Sequence, residues 1–294
     1  MSTAAVVLWQ VFYAPGGGSF NVHEGSSNVV ETVVRSRFIG REHDLLVLRN
    51  AFFHMGNRTT IKELAISRGQ ITQFLSRPFN MSNTELILCI NTHAEARDGG
   101  LLFAPGKVTS LDSVLEHVCG DISLAEFRSS TLFIICCGGL IKRACSEVRR
   151  ASQRFDTVYA FNAPMLDPIM MSCHFITTIL DFNIFGREPF FKTLQRTAKA
   201  EVLSHTAVFA GKSGKIYRVR MASLRRAPNG EAVRCCGQVA KYMETRNGRI
   251  RFRCVEPAHH GRPRSFALPL LLAKEGVRWV LGTGTKCRYI IDIV

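Results

Sequence analysis

The sequence has no internal repeat, no low-complexity tract and no apolar run of the ~18 residues that a membrane-spanning helix needs. Those absences argue against a repeat array, a disordered chain and an integral membrane protein. The opening stretch MSTAAVVLWQVFYAPGGG is apolar but has no basic segment ahead of it, and it runs into Pro15-Gly16-Gly17-Gly18 rather than a cleavage site. It reads as a first strand, not a secretory signal, so the chain is expected to be soluble and cytoplasmic or nuclear. Acidic residues are scarce in one half only. Residues 141–294 hold 27 Lys+Arg against 11 Asp+Glu, whereas residues 1–140 hold 11 against 12. The formal charge of +15 therefore belongs to the second half. That asymmetry points to an acidic partner: nucleic acid, an anionic surface or an acidic protein.

What is present is an ordinary globular composition, 46% hydrophobic and 21% charged over 294 residues, enough for a sizeable core in one large domain or two. The ten cysteines do not form a disulfide framework, because Cys89, Cys119, Cys136, Cys145 and Cys173 sit inside apolar or helical patterns. They read as free thiols in a reducing compartment.

Strand-like and helix-like stretches alternate along the first two-thirds. Residues 4–13, 86–90, 101–104, 132–135, 157–161, 206–210 and 215–220 read as strands. Residues 41–54, 111–118, 141–148 and 190–204 read as helices, with Ser110 a good N-cap for the second. Residues 15–27 read as a flexible Gly/Ser loop, 61–65 as a strand end, and 70–76 as a turn or two of helix. The alternation predicts an α/β fold with a largely parallel central sheet.

Two of these strands end in chemistry. The run at Leu86–Ile90 breaks into Asn91-Thr92-His93-Ala94-Glu95, and the run at Leu132–Ile135 breaks into Cys136-Cys137-Gly138-Gly139. If the two strands are parallel neighbours, an imidazole and a thiol share the rim where ligands bind in open α/β sheets. A thiol nucleophile needs a base and donors for the developing oxyanion, and a helix start after Cys137 would favour its thiolate. Gly138 and Gly139 remove side chains where a substrate backbone would approach, with Glu95 beside them. The plain alternative is two buried thiols and a loop histidine.

These residues resemble the caspase/metacaspase-like cysteine peptidases (clan CD, the caspase–haemoglobinase fold). Phe38-Ile39-Gly40-Arg41 with Asp44 and Leu48 is similar to the segment that opens the first helix in metacaspases. Thr92-His93-Ala94-Glu95 followed by Gly99-Gly100-Leu101-Leu102-Phe103 resembles the family's histidine loop. Ile135-Cys136-Cys137-Gly138-Gly139 resembles its nucleophile loop, 44 residues further on. The resemblance spans residues 1–210, with 1–150 similar to the large-subunit half and 155–210 to the small-subunit half. It implies a three-layer α/β/α caspase-like fold and a cysteine endopeptidase that needs no cofactor for its chemistry. His93 would be the general base or acid, Cys137 the nucleophile, and the backbone N–H groups of Ala94 and Cys137 the oxyanion donors. Two positions depart from the pattern: Ala94 stands where the family has glycine, and Ile135 where metacaspases have the aspartate that helps select a basic P1 residue. Cleavage after Arg or Lys, or after Asp, therefore does not carry over. The other reading is a catalytically inactive caspase-fold binding protein.

From residue 222 to 294 the texture changes to a small β-rich basic extension. Residues 212–264 hold 14 Lys+Arg and three acids, Glu231, Glu244 and Glu256. Cys235, Cys236, Cys254 and His259 (or His260) are the residue types of a structural zinc site, a degenerate zinc ribbon that Cys287 could complete. Its first cysteine pair is adjacent, a spacing that strains shared ligation. Arg249, Arg251 and Arg253 alternate with Ile250 and Phe252, the pattern of an exposed strand with one basic face. That face suits nucleic acid or an acidic protein, with Phe252 or Tyr242 available for stacking.

Overall fold

The computed structural model describes residues 4–14, 21–80, 83–137, 139–163, 165–198, 200–222, 233–236, 238–247, 249–256, 265–269, 278–281 and 288–294. The chain divides into two compact units, Met1–Thr197 with Val208–Ile216, and Ala198–Ala207 with Tyr217–Val294.

In the first unit, β1 (Ala5–Tyr13) is apolar almost throughout and buried at every position, as a strand covered on both faces must be. α1 (Val22–Ser36) follows, capped by Asn21, whose side-chain oxygen accepts from the His23 N–H. Then come β2 (Leu45–Phe52), α2 (Arg58–Leu75), β3 (Thr84–Asn91), the small hairpin β4 (Leu101–Ala104) and β5 (Lys107–Thr109), and α3 (Leu111–Cys119). β6 (Ser129–Ile135), α4 (Gly139–Arg154) and β7 (Thr157–Phe161) precede a long helix, α5 (Pro168–Phe185), that widens into π-helical turns. α6 (Phe190–Thr197) and β8 (Val208–Lys212) complete the unit.

The strands lie in the order β2-β1-β3-β6-β7-β8. The pairs from β2 to β7 are parallel and β7–β8 is antiparallel, so the α/β, mainly parallel expectation holds. α1 packs with α5, while α2, α3 and α4 pack in series, giving helices that flank the sheet. Strand order reverses between β1 and β3, and the crevice outside the carboxyl ends of strands at such a reversal is where doubly wound sheets bind ligands.

Three local expectations fail for identifiable reasons. Residues 41–54 are not a helix but a single 3₁₀ turn and β2. Leu45, Leu48 and Phe52 share a helical spacing, yet Leu48, Asn50 and Phe52 are buried while Arg49 and Ala51 are exposed, a period of two. The segment Phe38–Leu48, expected from its resemblance to open a helix, therefore leads into a strand. Residues 61–65 belong to α2, capped by Asn57. Helix α1 begins inside the stretch read as a flexible loop, because its small residues serve packing: Ser26 Oγ meets Ser172 Oγ of α5 at 2.7 Å. The sequence showed no span-length apolar run, but α5 has 18 residues with a mean hydropathy of 1.2, enough by length and composition to cross a membrane. Here half of it is buried, and Phe175 packs edge-on against the rings of Tyr159 and Phe161.

In the second unit, β9 (Lys215–Ala222) pairs with β16 (Arg288–Ile293), which pairs antiparallel with β15 (Arg278–Leu281). Between them lie the tight hairpin β10 (Arg234–Cys235) and β11 (Gln238–Val239), and an antiparallel sheet of β12 (Lys241–Arg246), β13 (Arg249–Arg253) and β14 (Ser265–Pro269). Ile250 and Phe252 are fully buried on one face of β13, with Arg249, Arg251 and Arg253 exposed on the other. Burial removes Phe252 from any stacking role. Its ring instead lies among Tyr242, Phe266 and Leu268.

Candidate active site

β3 and β6 are parallel neighbours, and their last paired residues are Asn91 and Ile135. One further bond, Thr92 N–H to the Ile135 carbonyl at 3.1 Å, carries the ladder past the strand ends. His93 and Cys137 therefore stand at equivalent positions, two residues beyond a matched register. Both line a small cavity of about 30 Å³, with Val22, His23, Thr92, Ile135, Cys136, Leu166 and Pro168. Its aliphatic members are Val22, Ile135, Leu166 and Pro168, and it holds no carboxylate among the described residues.

The thiols differ sharply in environment. Cys136 is 2% exposed, and burial pushes its pKa far up. Burial likewise raises Cys89 to about 12 and Cys119 to about 11. Such thiols stay protonated and inert. Cys137, at the cavity and partly open to solvent, is the accessible thiol of the adjacent pair.

His93 does not stand alone. His23, the second residue of α1, presents Nε2 to His93 Nε2 at 3.1 Å, with the two rings edge-to-face at 4.6 Å. On its other side His23 Nδ1 meets Asn91 Oδ1 at 2.5 Å. The Asn91 amide is oriented by its Nδ2, which donates to the His23 backbone carbonyl at 3.1 Å. An amide oxygen can only accept, so His23 Nδ1 carries a proton. Neutral His23 then has its lone pair on Nε2, and His93 must donate from its own Nε2. The basic nitrogen of neutral His93 is left as Nδ1. Burial lowers the His23 pKa to about 4, with His93 adding in the same direction and the Asn91 bond opposing, so His23 is neutral at ordinary pH. Desolvation also lowers the His93 pKa, Tyr13 packing edge-on against its ring.

The histidine loop is fastened to the nucleophile loop by glycine contacts. A Cβ on Gly139 would lie 2.2 Å from the Glu95 carbonyl oxygen, and one on Gly99 would lie 2.7 Å from the Gly139 carbonyl oxygen. Gly99 also has φ +84°. Gly139 and Glu95, assigned from sequence to substrate approach, thus meet each other, and the missing side chain makes room for the histidine loop. Gly138 lies outside the described residues. Ala94 bridges to Leu101, with Leu102 N–H donating to the His93 carbonyl (2.8 Å) and Glu95 N–H to the Gly100 carbonyl (2.9 Å). In this non-hydrogen-bonded pairing the Ala94 N–H points away from Leu101 and is not taken up by the bridge. Ala94 is not among the non-glycine residues of positive φ, so alanine there carries no backbone strain.

Sequence reasoning missed His23 and Asn91. The available signal was positional: a histidine just after the first strand of a doubly wound sheet, two residues past a capping asparagine. In the second unit, Cys235, Cys236 and Cys254 converge, with their sulfurs all within 4.8 Å of one another, while His259 and Cys287 lie outside the described residues. No protein-family model matches the chain, and no curated protein matches its sequence.

Proposed function

We propose that this chain is a cysteine endopeptidase of caspase-like fold, with Cys137 as nucleophile and His93 as general base. The observation that carries the reading is the chain Asn91–His23–His93, delivered beside Cys137 at the carboxyl ends of adjacent parallel strands. A buried, neutral histidine that fixes the tautomer of a second histidine is what a thiol nucleophile needs and what a loop histidine does not.

The thiol proton passes to His93 Nδ1 as Cys137 Sγ attacks the peptide carbonyl carbon. The oxyanion is received by backbone N–H groups, Ala94 being one. His93 then returns the proton to the departing amine as the C–N bond breaks, leaving a thioester. It next takes a proton from water, whose oxygen attacks the thioester; the C–S bond breaks to release the acid, and His93 returns that proton to the Cys137 sulfur. His23 stabilises imidazolium at His93 through the Nε2 bond. Val22, Ile135, Leu166 and Pro168 favour a neutral substrate side chain over a basic one. Cleavage of a peptide library by the full chain tests this. Loss of cleavage in Cys137→Ala, with Cys136→Ala retaining it, is the expected result; equal cleavage by Cys137→Ala overturns the reading.

A second reading has its own observation, the exposed Arg249, Arg251 and Arg253 face of β13. It assigns the second unit to binding a polyanion such as nucleic acid, compatible with an active or an inactive first unit. Arg251 is tethered to Glu244 at 3.1 Å, a surface pair easily exchanged for a phosphate.

A further inference from the structure

The second unit is mainly β structure among the described residues. The described core of its three-stranded sheet is Val233, Ala240, Ile250 and Phe252, with Tyr242, Phe266 and Leu268 partly buried around it. A sheet with a core of this size gains from a staple such as a disulfide or a structural metal.

Beside that core, the β10–β11 hairpin and the end of β13 bring three thiols together. Cys235 Sγ and Cys236 Sγ are 3.7 Å apart, and Cys254 Sγ and Cys236 Sγ are also 3.7 Å apart. A disulfide needs about 2.05 Å, so these are not bonded pairs. Thiolates on a tetrahedral zinc at about 2.3 Å stand about 3.8 Å from each other; the two spacings to Cys236 agree with that, and Cys235 and Cys254 lie within 4.8 Å of each other.

Adjacent cysteines ordinarily point apart. Here Cys236 has φ +53°, a left-handed conformation that is unfavourable for a residue with a Cβ. The turn between β10 and β11 thereby swings the Cys236 sulfur into line with those of Cys235 and Cys254. Backbone strain of this kind persists where the surrounding structure demands it, as tight hairpin turns and ligand clamps do.

We propose that Cys235, Cys236 and Cys254 bind one zinc ion that holds the β10–β11 hairpin to the end of β13. Three thiolates and one Zn²⁺ sum to a single negative charge, which suits a unit rich in arginine. Three sulfurs leave one tetrahedral position for a further donor.

The test uses the full chain, expressed with zinc and purified under reducing conditions. The site predicts about one zinc per chain by elemental analysis. It also predicts that replacing zinc with Co²⁺ produces the intense near-ultraviolet sulfur-to-cobalt charge-transfer band and the visible bands of tetrahedral cobalt. Cys254→Ser should lose the zinc and the charge-transfer intensity while the first unit stays folded. Because that variant could misfold locally, Cys236→Gly is the companion: glycine relieves the strain at 236, so retention of the hairpin with loss of metal separates ligation from folding. No bound zinc and no cobalt charge-transfer band in the unaltered chain overturns the site. So does a band unchanged in both variants.

Discussion

At the residue scale, the interplay of two histidines governs the site. His23 is 3% exposed and its pKa is lowered to about 4 from 6.5, so the folded chain resists a proton that the unfolded chain accepts. The unfolded state then binds more protons between pH 6.5 and 4, and stability falls as pH falls through that window. The contribution is on the order of 3 kcal/mol. Denaturant midpoints measured from pH 7 to 4 should show the decline, and His23→Leu should flatten it. Kinetically, His23→Leu should lower kcat by roughly 10²-fold, a larger effect than on KM, because it frees the His93 tautomer while leaving Cys137 and His93 themselves in place. Asn91→Ala leaves His23 Nδ1 without its acceptor and should destabilise the fold by about 1–3 kcal/mol, read by chemical denaturation. The sequence displayed His93 and Cys137 because each interrupts an apolar run. It hid His23 because a partner 70 residues away becomes a partner only when β1 and β3 pair.

At the element scale, the site depends on how closely two loops approach. Gly139→Ala drives a methyl into the Glu95 carbonyl, and neither backbone can rotate away as a side chain could. It should cost about 1–3 kcal/mol and separate His93 from Cys137, reducing activity more than stability alone explains. Gly69→Ala is the control, since nothing lies within 4 Å of that position inside α2. It should stabilise the protein by about 0.5–1 kcal/mol, visible as a raised melting temperature. Strands buried on both faces, such as β3 and β6, were legible as continuous apolar runs. β2 was not, because an edge strand mixes apolar and polar residues and a few leucines can then mimic helical spacing. Arg249–Arg253 was legible because period two was unbroken, and the structure adds only that Phe252 faces the core.

At the scale of the whole molecule, charge and chemistry are segregated. The near-neutral half carries His23, His93 and Cys137, and the half with 27 Lys+Arg carries the basic strand. Polyanion binding by the second unit should weaken steeply with salt, and replacing Arg249, Arg251 and Arg253 together with alanine should reduce the slope of log affinity against log salt by about 2–3. Titration with a fluorescent single-stranded oligonucleotide at several salt concentrations measures both. The peptide cleavage proposed for the first unit should be unaffected by that triple change.

The central claim is that Cys137 is a nucleophile served by His93. Its most direct measurement is the alkylation rate of each cysteine by iodoacetamide between pH 5 and 8, read by peptide mass spectrometry, with exposed Cys173 as internal reference. Cys137 should react many times faster than Cys173 below pH 8 and fall to the Cys173 rate in His93→Ala. A Cys137 that reacts no faster than Cys173, or is indifferent to His93, contradicts the account.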